Sequence, residues 1–286
     1  MIKNILITGS GGFIGKNLKI FFKDKYNLLT PRSYELDCID EEAVKKYFGK
    51  NKIDFILHCA SVGGVRGVED KPETFDENIK MVENLLKYKN KDTGMILFSS
   101  GAMYDKSKPI QKVKEDCLEN CNPPDLYGKS KKKIVELVKN RADVTCLTIF
   151  ACYGYGEKES RFPTYAISQN LQGKPIVINQ NVVFDYLFIE DLCKIVEHFM
   201  NDKPKENVIN VTPSESIDLK TISKIVNDIS NYKSEIKIKN QEWGNEYTGD
   251  NSRLLAEIPN FKFTKMEDGL KLLYDYLLKQ IIEVAL

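Results

Sequence analysis

The stretch KNILITGSGGFIG, residues 3–15, sets an apolar run of strand length directly against Gly9, Gly12 and Gly15. So short and so uniformly apolar a run reads as a strand buried on both faces. The segment that follows, GFIGKNLKIFFKDK, carries its apolar residues at helical spacing, which puts the glycines in the turn between strand and helix. Glycines there suit three demands: a tight turn, a backbone that can approach a pyrophosphate, and close packing of the helix on its strand. An ordinary strand-to-helix turn needs only the first. The N-terminal placement points to dinucleotide binding, although the spacing is Gly-x-x-Gly-x-x-Gly rather than Gly-x-Gly-x-x-Gly.

The alternation continues to about residue 150. NLLT, DFILHCA, GMILFSS and VTCLTIF read as further strands, separated by the helical stretches DEEAVKKYFGK, PETFDENIKMVENLLKYKN and PPDLYGKSKKKIVELVKNR. Pro72 marks one helix start, and Pro123, Pro124 and Asp125 mark another. Apolar strands alternating with helices predict an α/β chain with a Rossmann-type, doubly wound parallel sheet covered on both faces. Past Tyr153 the regularity loosens. Helices are expected near 161–172, 190–201, 218–230 and 266–284, separated by the short strands KPIVI, VVFDYLFI, NVIN and SEIKIK. The expected organisation is a dinucleotide-binding domain over 1–152 and a smaller, mainly substrate-binding α/β portion over 153–286, with some chain crossing back to the main sheet.

The 286 residues carry 42 Lys and Arg against 41 Asp and Glu, so no global field draws the chain to nucleic acid or an anionic membrane. No window approaches the ~20 apolar residues of a membrane span, and MIKNILITGS has no signal-peptide pattern. Among Cys38, Cys59, Cys117, Cys121, Cys146, Cys152 and Cys193 only Cys117 and Cys121 are near neighbours. No second pair completes a zinc site, so no metal is expected, and reduced thiols in a cytoplasmic protein are the simple reading.

In DLYGKSKKKIVELV, Tyr127 and Lys131 stand four apart and share a face of any helix built there. Lys129, Lys132 and Lys133 read as solvated helix surface. Taken with the glycine spacing, Y-x-x-x-K resembles the short-chain dehydrogenase/reductase superfamily, and within it the extended, sugar-nucleotide-modifying branch (the NAD-dependent epimerase/dehydratase family). HCAS is similar to that branch's strand-end segment, Asn78 to its helix asparagine and FSSGAMY to its catalytic serine segment. CYGYG resembles its N-x-Y-G-x-G segment, and FDYLFIEDL its R-D-F-x-x-V-x-D segment. The resemblance implies that Tyr127 is the general acid, delivering a proton to a carbonyl oxygen as hydride reaches the carbon. A free phenol ionises near ~10, and an adjacent ammonium typically lowers that value. The resemblance also implies that Lys131 holds the nicotinamide ribose and that Ser100 hydrogen-bonds the reacting oxygen.

For the cofactor, the same resemblance implicates Gly9, Ser10, Gly11, Gly12, Phe13, Ile14 and Gly15 of the loop. It adds Cys59, Ala60 and Ser61 after the third strand, with Asn78, Ser99, Tyr127 and Lys131. After the second strand stand Arg32 and Ser33, with no carboxylate before Glu35, and Asp37 follows. NAD enzymes usually carry an acidic residue there for the ribose hydroxyls, whereas an arginine accommodates a 2′-phosphate, which favours NADP(H) over NAD(H).

Residues 25–100 resemble the GDP-L-fucose synthase family, whose members epimerise two carbons and then reduce a 4-keto group. The resemblance assigns epimerisation to a cysteine two residues before the tyrosine of the serine segment and to a downstream histidine. Here the first position is Ala102, the two histidines are His58 and His198, and EKESRFPTY has none. The implied activity is an NADPH-dependent reductase of a 4-keto-6-deoxy sugar nucleotide, GDP-linked rather than CDP- or dTDP-linked, in bacterial surface-polysaccharide synthesis. Ser100, Ala102, Tyr127 and Arg161 would contact substrate. Cys152 is a substitute acid or, more simply, a packed thiol. Ala151 and Phe184 replace the family's asparagine and arginine, so the nucleotide site must be built differently. An NAD-dependent 4-epimerase and a non-catalytic NADP-binding regulator are the competing readings. The resemblance further implies a homodimer through the helices at 72–90 and 125–140.

Overall fold

The structure, a computed structural model, describes residues 2–65 and 67–285. The first half runs β1 (Asn4–Thr8), α1 (Phe13–Phe22), β2 (Asn27–Leu29), α2 (Glu41–Lys50), β3 (Phe55–His58), α3 (Thr74–Tyr88), β4 (Gly94–Ser100), β5 (Ile110–Val113), α4 (Leu126–Val138) and β6 (Val144–Ile149). The second half begins β7 (Ala151–Tyr153), α5 (Phe162–Leu171), β8 (Ile176–Asn181), β9 (Val183–Phe184), β10 (Tyr186–Phe188), α6 (Ile189–Asn201) and β11 (Val208–Val211). It ends with β12 (Ile217–Asp218), α7 (Leu219–Ile229), β13 (Ile236–Trp243), β14 (Tyr247–Gly249), α8 (Ser252–Glu257) and α9 (Met266–Ala285).

Six strands form the main sheet in the order β11-β6-β4-β3-β1-β2, every neighbouring pair parallel. The Rossmann-type expectation holds, and NVIN is the edge strand β11 of this sheet rather than part of a separate one. Alternation along β1 explains why its strand is apolar throughout. Ile5 and Ile7 enter the core shared with α6, while Leu6 enters the opposite core with Met81, Val82 and Leu85 of α3 and Ile134, Val135 and Val138 of α4. Each such burial contributes roughly 1.5–3 kcal/mol, so both layers of helices are held by the same short strands.

The expected strand VVFDYLFI is divided. Asp185, fully buried, interrupts it, leaving β9 in a four-stranded sheet β12-β9-β14-β5 and β10 paired with β7. The carboxylate accepts hydrogen bonds from Ser216 Oγ at 2.5 Å, Gly249 N at 2.8 Å and Lys112 Nζ at 3.1 Å. Those donors come from three separate stretches of chain, so Asp185 ties the small sheet together.

Candidate active site

The glycine turn closes on β3. Gly9 holds φ +64, and a Cβ there would stand 2.6 Å from the Ala60 backbone nitrogen. Glycine is required for the β1 turn to approach the end of β3 so closely, at the point where the strand order reverses. The Gly12 N–H donates to the Gly9 carbonyl at 3.0 Å and leads into α1. Arg32 folds back over this turn, with Nη1 3.1 Å from where a Cβ on Gly11 would sit. A bare backbone at a helix N-terminus with a guanidinium across it fits the phosphates of a dinucleotide. Ser33 is exposed beside Arg32, whereas the Asp37 carboxylate accepts the Ile39 N–H at 2.9 Å. Ser10 and Gly15 lie buried in the turn and first helix, with Ser10 Oγ reaching the Thr30 carbonyl at 3.5 Å.

From the turn a cleft of about 1060 Å³ opens along the carboxyl ends of the strands. Phe13 and Ile14 line it from α1, and Cys59, Ala60 and Ser61 line it from the end of β3. Asn78 works from beneath. It is buried, its Oδ1 accepts Val62 N at 3.0 Å and Ser61 Oγ at 3.2 Å, and its Nδ2 donates to Val62 O at 2.9 Å and Ser130 Oγ at 3.1 Å. It holds the loop that borders the cleft rather than facing the cleft itself.

The β4 end supplies Ser99, Ser100 and Ala102, and α4 supplies Tyr127 and Lys131. The start of α4 is fixed by two carboxylates: Asp125 accepts Gly128 N at 2.7 Å, and Asp70 accepts Tyr127 N at 2.8 Å. Lys131 is buried, and its Nζ donates to the Phe98 carbonyl at 3.1 Å and stands 5.3 Å from the centroid of the Tyr127 ring. No carboxylate pairs with it among the described residues. The other lysines divide. Lys129 and Lys133 are exposed, but Lys132 is half-buried and its Nζ donates to the Cys121 carbonyl at 2.6 Å, so it anchors a turn rather than standing in solvent.

The far wall comes from the second half of the chain. Cys152, Glu157 and Arg161 line it around the start of α5, and Phe184 and Tyr247 line it from β9 and β14. Arg161 makes no ion pair among the described residues. Glu157 accepts Thr164 Oγ1 at 2.9 Å, and burial pushes its carboxyl up to about 8 against the pull of that hydrogen bond and of Arg161. Burial, with Glu157 nearby, drives the Cys152 thiol well up, which keeps it protonated. Neither histidine lines the cleft. His58 is buried with Nδ1 2.7 Å from Thr8 Oγ1, and burial with Lys131 lowers it to about 3. Tyr247, Asp70 and Glu157 were not singled out from the sequence. Of these only Glu157 adjoins a motif, directly after CYGYG.

The comparisons agree with the geometry. A family model described as "NAD dependent epimerase/dehydratase family" matches residues 5–212. GDP-L-colitose synthase of Yersinia pseudotuberculosis is 37% identical over 107 residues, covering 36% of this chain and 35% of that protein. GDP-6-deoxy-D-talose 4-dehydrogenase of Aggregatibacter actinomycetemcomitans is 26% identical over 94% of this chain and 96% of its own. Among solved structures, the GDP-mannoheptose C4 reductase MlghC of Campylobacter jejuni with NADP bound has a TM-score of 0.84 at 18% identity, covering 97% of this chain and 98% of that one, a likeness of fold. No helix among the described residues is long and apolar enough to cross a membrane.

Proposed function

The chain belongs to the NAD dependent epimerase/dehydratase family, and from that premise we propose that it is an NADPH-dependent reductase of a 4-keto-6-deoxy sugar nucleotide. The observation that carries the reading is the buried Lys131 ammonium 5.3 Å from the Tyr127 ring, in the same cleft as Ser100. Bound NADPH supplies the hydride for C4. Tyr127 delivers its proton to the C4 oxygen as charge develops there, and Ser100 hydrogen-bonds the same oxygen. Lys131 stabilises the phenolate that remains. Positioned proton transfer of this kind contributes on the order of 10²–10⁴-fold.

Arg161, in the cleft wall without an ion pair among the described residues, takes the diphosphate of the substrate. Arg32 over Gly11 takes the 2′-phosphate that separates NADPH from NADH. With Ala102 in place of a cysteine and no histidine in the cleft, reduction proceeds without the epimerisations. GDP is the favoured base because the two relatives named above act on GDP-linked sugars by their names. The proposed homodimer uses α3 and α4, which pack side by side on one face of the sheet.

The test is NADPH and NADH consumption with 4-keto-6-deoxy sugars carrying GDP, CDP, dTDP or UDP. Oxidation of NADPH with the GDP-linked member, lost in Tyr127→Phe, is the expected result. A protein that binds NADPH and reduces no member of that panel is not this reductase, and 4-epimerase assays on the parent sugars would follow.

A further inference from the structure

Ala102, Ala151 and Phe184 are the positions at which this chain departs from the pattern it resembles, and all of them line the cleft. Each sets a hydrocarbon side chain where that pattern has a cysteine, an asparagine or an arginine. The fold brings these departures together. Ala151 on β7 pairs with Tyr186 on β10, and Phe184 on β9 pairs with Tyr247 on β14. The Phe184 ring lies 5.5 Å from that of Tyr186 and 6.0 Å from that of Tyr247, centroid to centroid. The Tyr247 ring in turn lies 5.3 Å from that of Phe150. Gly101, between Ser100 and Ala102, admits both of the last two rings. A Cβ there would stand 2.5 Å from the Tyr247 hydroxyl oxygen and 2.7 Å from Phe150 Cδ1. These rings and the two alanines therefore form one lining, which starts beside Ser100 and continues along the wall to Phe184 and Tyr186.

In a hexose held with its C4 oxygen between Ser100 and Tyr127, C6 is separated from the reacting carbon by C5 alone. The group at C6 is therefore the substituent that meets this lining first. We propose that Phe184 and Tyr247, with Ala102 and Ala151, form an apolar seat for the methyl group of a 6-deoxy sugar and so select it against the C6 hydroxyl of the parent hexose. The inference rests on the reductase reading for the position of C4 and deepens it by assigning the choice of sugar to these residues. A methyl group against the rings gains from leaving water. A hydroxyl in the same place loses its water and finds no partner on Ala102, Ala151 or Phe184, which is a net cost. Apolar sites reject an added hydroxyl only modestly, so the preference for the 6-deoxy sugar should be about 10–100-fold.

Binding tests this without turnover. Calorimetric titration in the presence of NADP+ compares hexoses linked to GDP, CDP, dTDP or UDP with their 6-deoxy counterparts, each pair differing only in the C6 hydroxyl. The 6-deoxy member of the pair that binds should be tighter by the factor given above. Ala151→Ser, a small change at a half-buried position, and Phe184→Gln each bring a hydrogen-bonding group into the lining. Both should shrink that preference, chiefly by improving affinity for the C6-hydroxylated member, with thermal midpoints showing that the variants are folded. Equal affinity within the pair in the wild type overturns the proposal, as does a preference that survives both variants or a failure of every pair to bind. A methyl preference in a protein that reduces none of the 4-keto sugars would keep the seat while the reductase reading fails. Turnover of the 4-keto sugars without a methyl preference would do the reverse.

Discussion

Asp70 accepts the backbone N–H of Tyr127 at 2.8 Å through one carboxylate oxygen and that of Gly64 at 2.9 Å through the other. One side chain therefore ties the first turn of α4 to the loop that follows β3. Beside the N-cap Asp125, Asp70 is a second carboxylate at this end of α4, satisfying the Tyr127 N–H and complementing the positive end of the helix. Asp70→Ala is expected to lower kcat about tenfold by loosening Tyr127, at a cost of ~1 kcal/mol in stability. Amide exchange over 61–70 and steady-state kinetics check it together. Faster exchange with unchanged kcat would mean that the loop does not position the tyrosine.

Gly64 carries the same loop across the face of Tyr127. It holds φ +67, and a Cβ there would stand 2.8 Å from the ring carbons Cδ1 and Cε1. Gly64→Ala must therefore displace the ring as well as strain the backbone, on the order of 1 kcal/mol. The expected outcome is a fall in kcat at constant NADPH affinity, measured by turnover beside fluorescence titration of the cofactor. A parallel loss of NADPH affinity would place the effect in the cofactor site instead.

Arg32 discriminates between the two nicotinamide cofactors if its guanidinium reads the 2′-phosphate. A charge-assisted hydrogen bond contributes ~1.5–3 kcal/mol, so Arg32→Ala should weaken NADPH roughly 10–100-fold and leave NADH nearly unchanged. Calorimetric titration with both cofactors decides it. Equal losses for the two would assign Arg32 to the turn itself.

The parts of this molecule that sequence made legible are those in which position along the chain is position in space. Gly9 and Gly12 follow their strand directly, and Tyr127 and Lys131 share a helix face because they are four residues apart. Tyr247 was hidden for the opposite reason. Its place in the cleft wall depends on a three-residue strand pairing with β5 and β9, far away in sequence, and no periodicity announces so short an element. The break in VVFDYLFI was equally opaque, because Asp185 interrupts the strand to collect donors from Lys112, Ser216 and Gly249. Lys132 looks like any surface lysine until the fold brings the Cys121 carbonyl to it.

Glu157 makes the cleft sensitive to pH. Burial raises its carboxyl from 4.5 to about 8, so the folded protein keeps a proton that the unfolded chain gives up near 4.5. The folded state binds more protons between those values, and stability falls as pH rises through them. The contribution is complete below about 4.5 and gone once the pH passes about 8. Glu157→Gln keeps the shape without the titration. Its urea midpoint should therefore match the wild type at pH 4.5 and exceed it at pH 8.5, and a gap that does not change with pH would remove the buried proton from the account. The same titration reaches substrate binding, because Arg161 lines the cleft wall beside Glu157. If Arg161 takes the substrate's phosphates as proposed, a neutral Glu157 leaves the guanidinium to them. Once it ionises, a carboxylate competes for the same charge, so KM should climb above about pH 8 in the wild type and stay level in Glu157→Gln.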